Sequence, residues 1–217
     1  MLKRQMILLL LLVFPISFYG FEESEVGNGG IGIVCEYPSG KVKSVELLEF
    51  VEGIVLESYS YSNVFREPHL KEFILQRLYK LAPNRAALYA KYLKTFSEEA
   101  VFKKGLEIAD PKDTLNYINR KGCEHKTLIL QTPYDIPGTP KYIVNQDLFF
   151  LMPTPMQVMT VFHEIIYRER IWQGDFNSSF TRAFNALLFS DEWDENNHER
   201  VYRLFKIYDI SIDIERL

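Results

Sequence analysis

The chain has 217 residues, of which 47% are apolar and 25% are charged, and its formal net charge is −4. This composition is typical of a globular protein and excludes disordered, collagen-like and coiled-coil chains. The excess of acidic residues also disfavours nucleic acid or an anionic membrane as a partner. We therefore expect a folded protein whose partner is another protein or a small molecule.

The first twenty residues have the pattern of a secretory signal. Lys3 and Arg4 precede an apolar run over 6–14, which is shorter than the ~20 residues that span a membrane. We predict that residues 1–20 are a signal peptide ending at Gly20, with no stable membrane span after cleavage. The protein would then reside in the periplasm or outside the cell. An uncleaved N-terminal anchor is the alternative.

A glycine-rich run at 27–32 formally matches the dinucleotide-binding pattern G-x-G-x-x-G. That pattern requires a strand before it and a helix after it, whereas this run follows the predicted signal and precedes a predicted strand. We predict instead that residues 21–30 form a flexible arm and that residues 31–217 form a single domain.

The chain contains two cysteines, Cys35 and Cys123. In an exported protein such a pair is most simply one disulfide, because the compartments outside the cytoplasm are oxidising. Two alternatives stay open: two separate buried thiols, or a metal site completed by His125 and His69. The C-x-x-C spacing that is typical of zinc sites is missing, so we predict the disulfide.

The first half of the predicted domain begins with a strand over 31–37, which a Pro-Ser-Gly turn ends. Ser44 is a suitable N-cap for a helix whose apolar residues, beginning with Leu47 and Leu48, recur at helical spacing. Two further helices are predicted, one that begins at Pro68 and one over 84–96.

The middle of the chain favours strands and turns. Residues 100–108 are predicted to form a strand or hairpin, and 127–131 and 142–145 are predicted to be strands. Three prolines and a glycine make 133–140 a turn-rich loop.

The last third is predicted to be helical. Thr154 as N-cap, Pro155 at the first helical position and Gln157 in a capping box begin a helix that ends before Gly174. Further helices are predicted over 178–189 and 195–208. Together these elements predict an α+β fold, predominantly helical, with a small β-sheet.

One segment of this chain carries a recognisable chemical pattern, His-Glu-Ile-Ile-Tyr-Arg-Glu at 163–169. Its helical spacing is that of the zinc-protease motif H-E-x-x-H with tyrosine in place of the second histidine. On this interpretation His163 binds zinc, Glu164 activates water and Tyr167 is a ligand or oxyanion donor. A phenol is a much poorer zinc ligand than an imidazole, which weighs against the interpretation.

A second interpretation is a non-metal ligand or catalytic pocket built on His163, Tyr167 and Arg168. The third is a structural role for the same helix. It is apolar over most of its circumference, as a central helix is, and its polar stripe is narrow. On this interpretation His163 is buried with one hydrogen-bond partner, and Glu164 pairs with Arg168 one turn later. Arg168, Glu169 and Arg182 would then belong to a structural polar network that fixes two neighbouring helices, and no metal is bound.

Several short motifs together resemble a family of uncharacterised exported proteins of Gram-negative bacteria. They are Gly-Asn-Gly-Gly at 27–30, Val-Cys at 34–35, Val-Glu-Leu-Leu at 45–48, Gly-Cys at 122–123, the 163–169 segment, and Asn-Ser at 177–178 with Arg182. The resemblance implies export and assigns no functional residues.

The sequence thus favours an exported globular protein with a structural or binding role. The competing hypothesis is a metal-dependent hydrolase with a degenerate site at His163, Glu164 and Tyr167, in which His163 holds zinc. The sequence does not decide whether the protein is an enzyme, and it specifies no substrate, partner or oligomeric state.

Overall fold

The computed structural model describes residues 30–106, 108, 118–132, 138–193 and 198–214. The predicted signal peptide lies outside the described residues, as does the predicted arm except for Gly30. The described part also omits most of the predicted loop at 133–140 and the beginning of the helix predicted over 195–208.

Seven α-helices and six strands form in the described part. In chain order they are β1 (Ile31–Glu36), β2 (Val42–Leu47), α1 (Leu48–Glu57), α2 (Leu70–Leu81), α3 (Pro83–Glu99), β3 (Ala100–Lys103), β4 (Cys123–Thr127), β5 (Ile129–Gln131), β6 (Tyr142–Asn145), α4 (Gln146–Phe149), α5 (Thr154–Trp172), α6 (Ser179–Phe189) and α7 (Glu199–Ile207). The predicted α+β class with predominant helix is confirmed. The strands form two small sheets, whereas the sequence predicted one.

The first sheet has the strand order β2-β1-β4 and is antiparallel throughout. Its hairpin turns at Gly40, where a φ of 77° favours glycine because it has no Cβ. The prediction of Ser44 as a helix N-cap is wrong, because Ser44 lies in β2 opposite Cys35. Pairing with β1 keeps this segment extended, and the helix begins only at Leu48.

Cys35 and Cys123 form the predicted disulfide. They lie directly opposite each other on β1 and β4. Because the sulfurs are joined, the alternatives of two separate thiols and of a metal site on these cysteines are both wrong.

The second sheet has the order β3-β6-β5, with β3 and β6 parallel. Leu128 joins the two sheets, because its N–H donates to Gly30 and its carbonyl accepts from Asn145, both at 2.8 Å. The strand predicted over 127–131 is therefore two strands that change sheets at this residue. The strand predicted over 142–145 is confirmed, and that predicted over 100–108 is confirmed only as β3.

Helix α5 is the centre of the core, since fourteen of its nineteen residues are buried. The predicted capping box is wrong, because the N-cap is Pro153 and not Thr154. Proline has no backbone N–H, so it cannot donate the hydrogen bond that the side chain of Gln157 would accept in a capping box. Gln157 instead donates to the carbonyl of Met152 at 2.9 Å. The helix ends at Trp172, close to the predicted end. No helix in the described part is both long and apolar enough to cross a membrane.

Candidate functional site

His163 on α5 is bound to a carboxylate that comes from the first turn of α1. Its Nδ1 lies 2.7 Å from Oε1 of Glu49, and both side chains are at most 1% exposed. Burial alone lowers the pKa of His163, but the charge and hydrogen bond of Glu49 outweigh burial, and the pKa is raised above its ordinary value. The predicted buried histidine with a single partner is thus present.

The same carboxylate also binds α6. Asn185 donates its amide Nδ2–H to Glu49 Oε1 at 2.9 Å and to the carbonyl of Met159 at 2.9 Å. One buried oxygen therefore holds side chains from α5 and α6 against the first turn of α1. A shared buried acceptor of this kind favours the observed crossing of the helices, because separating them would remove the Glu49 oxygen from the donors that it binds.

Glu164 is completely buried, in contrast to the polar stripe on which the sequence places it. The Gly30 N–H donates to its Oε1 at 2.6 Å, and Gln131, with its amide turned to donate, reaches its Oε2 at 3.1 Å. Burial raises the pKa of Glu164 to about 7, although His163 and the Gly30 amide act in the opposite direction. The predicted pair between Glu164 and Arg168 is wrong, because the start of β1 and strand β5 cover this face of α5.

Tyr167 is also buried, and its hydroxyl donates to the carbonyl of Phe176 at 2.7 Å. This bond ties α5 to the loop that leads into α6. The three candidate catalytic side chains therefore bind three different parts of the chain: His163 binds α1, Glu164 binds the start of β1, and Tyr167 binds the loop.

The predicted polar network of Arg168, Glu169 and Arg182 is divided among separate clusters. Arg168 Nη1 binds Glu99 Oε2 at 2.6 Å. Arg182 binds Glu52 at 3.1 Å through Nε and donates to Ser178 Oγ at 2.9 Å through Nη1. The predicted network would join Arg182 to Arg168 and Glu169 on α5, whereas Arg182 binds Glu52 on α1.

Glu169 holds Arg85, which in turn binds the segment after α7. Arg85 binds it at 2.9 Å through Nη2, and the hydroxyl of Tyr89 donates to its Oε2 at 2.7 Å. The same guanidinium donates to the carbonyls of Ser211 and Ile212. This buried cluster joins α3 to α5 and to the segment after α7.

A cleft of about 510 Å³ opens at the surface between α1, α6 and α7. Helices α1 and α7 form its walls and α6 forms its floor, where Ala183 and Ala186 leave room. Volumes of this size are typical of sites for small molecules. Its lining includes Glu52, Leu56, Glu57, Arg182, Arg200 and Arg203.

Glu52 connects the cleft with the buried pair behind it. It lines the cleft, binds Arg182, and lies one helical turn from Glu49 on α1. Burial raises the pKa of Glu52, Arg182 lowers it, and the nearby charge of Glu49 raises it further. The pair of Glu49 and His163 therefore supports one side of the cleft from inside without lining it.

Sequence reasoning identified neither Glu49 as the partner of His163 nor the cleft. Glu49 carries one sequence signal, since it is an acidic residue within the apolar run of Leu47, Leu48 and Val51. The arginines of the cleft lie on two helices, at 182 and at 200 and 203, and no local spacing brings them together.

Within the described part, no group of three or more His, Cys, Asp or Glu side chains is arranged to hold a metal ion. Comparison with protein-family models, with curated proteins and with solved structures finds no match to this chain.

Proposed function

We propose that this chain is an exported protein that binds a small ligand in the cleft between α1, α6 and α7, and that its 163–169 segment is a buried scaffold. The observation that carries the proposal is the contrast in exposure between two places. Side chains such as Leu56 at the cleft reach solvent, whereas His163, Glu164 and Tyr167 are at most 1% exposed. A ligand has direct access to the cleft, while His163 is already bound to Glu49.

Export is supported by three features that agree. The basic start and short apolar run predict a signal at residues 1–20, and the resemblance implies an exported Gram-negative protein. The disulfide of Cys35 and Cys123 fits an oxidising compartment. The periplasm or the extracellular medium is therefore the proposed location.

The geometry around His163 favours the scaffold over the hydrolase hypothesis. A catalytic zinc site keeps a coordination position open to substrate. Here the imidazole contacts Glu49 and is 1% exposed, and Glu164, the proposed base, is held by the Gly30 amide inside the core. This arrangement supports helix packing.

The binding proposal is tested with Nile red, a neutral dye that fluoresces in apolar surroundings. Ala183→Leu places a larger side chain on the half-buried floor of the cleft, and Ala87→Leu makes the same change on the exposed face of α3. We expect the first variant to weaken dye binding about tenfold and the second to leave it unchanged. A folded Ala183→Leu protein that binds the dye like the parent would overturn the proposal.

A further inference from the structure

We infer that the ligand of the cleft is a small amphipathic monoanion, an apolar body that carries one carboxylate. The inference rests on the proposed function, since it names the ligand class of that same cleft. Two observations carry it: the sign of the charge that lines the cleft, and the apolar side chains that stay exposed beside that charge.

The lining of the cleft is cationic although the chain as a whole is acidic. Arg182, Arg200 and Arg203 line it together with only two carboxylates, Glu52 and Glu57, whereas the whole chain carries −4. The lining therefore has a net charge of the opposite sign, about one positive unit. Such a local inversion favours an anion over a cation, and an excess of only about one positive charge leaves the second charge of a dianion desolvated without a cation to offset it.

The arginines differ in how firmly they are already held. Arg182 is buried and bound to Glu52 and Ser178, so it forms part of the cleft wall. Arg200 lies over the ring of Tyr59, with its guanidinium carbon 5.8 Å from the ring centre. The guanidinium also hydrogen-bonds to the Tyr59 side chain, and these contacts orient it while others of its five N–H donors can bind a carboxylate.

Arg203 lies one turn after Arg200 on the same wall. It binds Glu199 at 2.7 Å, but the two side chains are 67% and 69% exposed. An ion pair so open to water contributes little, so the guanidinium can turn to a ligand at small cost. Arg200 and Arg203 are therefore the pair of cations that we assign to the ligand carboxylate.

The apolar part of the lining accounts for the rest of the ligand. Leu56 on α1 is 56% exposed and Ile207 on α7 is 70% exposed, and both line the cleft. The half-buried Leu204 extends this surface. A ligand with an apolar body buries these side chains, and the hydrophobic effect makes that burial favourable.

Calorimetric titration of the folded full-length mature protein tests the inference directly. The probes are decanoate, decylammonium and decyl phosphate, each below the concentration at which it forms micelles. We expect decanoate to bind at least about tenfold more tightly than decylammonium, because Arg200 and Arg203 both attract the carboxylate and repel the ammonium, so that several modest contributions add. We also expect decanoate to bind more tightly than decyl phosphate, because the second charge of the phosphate loses its hydration without a further cation of the lining to offset it.

The variants locate the carboxylate. Combining Arg200→Gln with Arg203→Gln should remove the preference for decanoate over decylammonium, leaving a difference below about twofold. Lys94→Gln on the exposed surface of α3 changes the net charge in the same direction outside the cleft and should leave the preference intact. Melting curves of each variant confirm that it is folded.

Each other result overturns the inference. Equal binding of decanoate and decylammonium refutes the anionic ligand, and tighter binding of decyl phosphate refutes the carboxylate. An unchanged preference in the double arginine variant refutes the assigned residues, and no binding of decanoate refutes the class altogether. In all four cases the proposed function still stands if the protein binds Nile red and Ala183→Leu weakens that binding. If Ala183→Leu leaves dye binding unchanged, the proposed function itself is refuted.

Discussion

Glu49 and His163 form a buried pair in which the carboxylate Oε1 and the imidazole Nδ1 lie 2.7 Å apart. The two residues are 114 positions apart in the chain and join the beginning of α1 to the middle of α5. Asn185 on α6 donates to the same oxygen. Three helices thus meet at one carboxylate behind the cleft.

Replacing His163 with alanine should destabilise the protein strongly. The change leaves a void in the core and removes a partner of the buried Glu49 carboxylate. We expect the free energy of unfolding to fall by ~2–4 kcal/mol, as judged by urea denaturation, and the Tm to fall by several degrees or more.

The matched control is His69→Ala. His69 is exposed and its side chain makes no capping hydrogen bond at the start of α2. Its loss should change the free energy of unfolding by less than ~0.5 kcal/mol. Equal effects of the two substitutions would show that the pair with Glu49 does not stabilise the fold.

The partner of His163 could not be predicted from the sequence. Helical periodicity places His163 on an apolar face correctly, because that pattern depends on neighbours within two turns. The identity of Glu49 depends on contacts between α1, α5 and α6, which no local spacing encodes. Glu164 was misplaced for the same reason: Gly30 and Gln131 cover it from two strands that are distant in the chain.

The stability of the protein should increase as the pH is lowered from about 8 to about 5.5. The pKa of Glu164 is raised to about 7 in the folded chain from 4.5 for an unperturbed glutamate, so the folded state binds the proton more tightly than the unfolded state does. The stabilisation from this proton is therefore complete below the unfolded pKa of 4.5 and is lost as the pH rises through the folded pKa of about 7. For this fully buried group the loss is about 2 kcal/mol over the stated range.

His163 and Glu52 act in the same direction, because the folded state also raises the pKa of each. The variant Glu164→Gln isolates the contribution of Glu164, since glutamine has a similar shape and does not titrate. We expect urea denaturation at the two pH values to show a smaller difference in this variant than in the parent. A parent protein that becomes more stable at the higher pH would refute the assignment.

The disulfide should contribute substantially to stability. It joins residues 88 positions apart, and closure of so long a loop restricts the unfolded chain. Replacing both Cys35 and Cys123 with alanine should lower the free energy of unfolding by about 2–4 kcal/mol. Thiol titration of the denatured, unreduced parent should find no free thiol, and two free thiols in exported protein would contradict the pairing.

The mature protein should lack residues 1–20. The prediction depends on the basic start and the short apolar run, a pattern that is typical of a cleaved signal. Mass spectrometry of protein recovered from the exported fraction should show a chain beginning near residue 21. Recovery of chains that retain Met1 in that fraction would favour the uncleaved anchor.

The fold was predictable where the relevant interactions are local. Most helices, β6 and the end of α5 at Gly174 follow from periodicity and terminator residues. Strand β2 was not predicted, because Ser44 fits an N-cap and Leu47 and Leu48 begin a helical pattern, whereas pairing with β1 keeps the segment up to Leu47 extended. The change of sheet at Leu128 likewise depends on Gly30 and Asn145, which lie far from it in sequence.

The central claim, that the 163–169 segment is a scaffold, is tested most directly by the zinc content of the purified parent protein and of His163→Ala, measured together with their Tm. If His163 serves packing, the parent carries no stoichiometric zinc and the variant melts several degrees lower. A zinc-containing parent whose His163→Ala variant loses the metal and keeps its Tm would contradict the account.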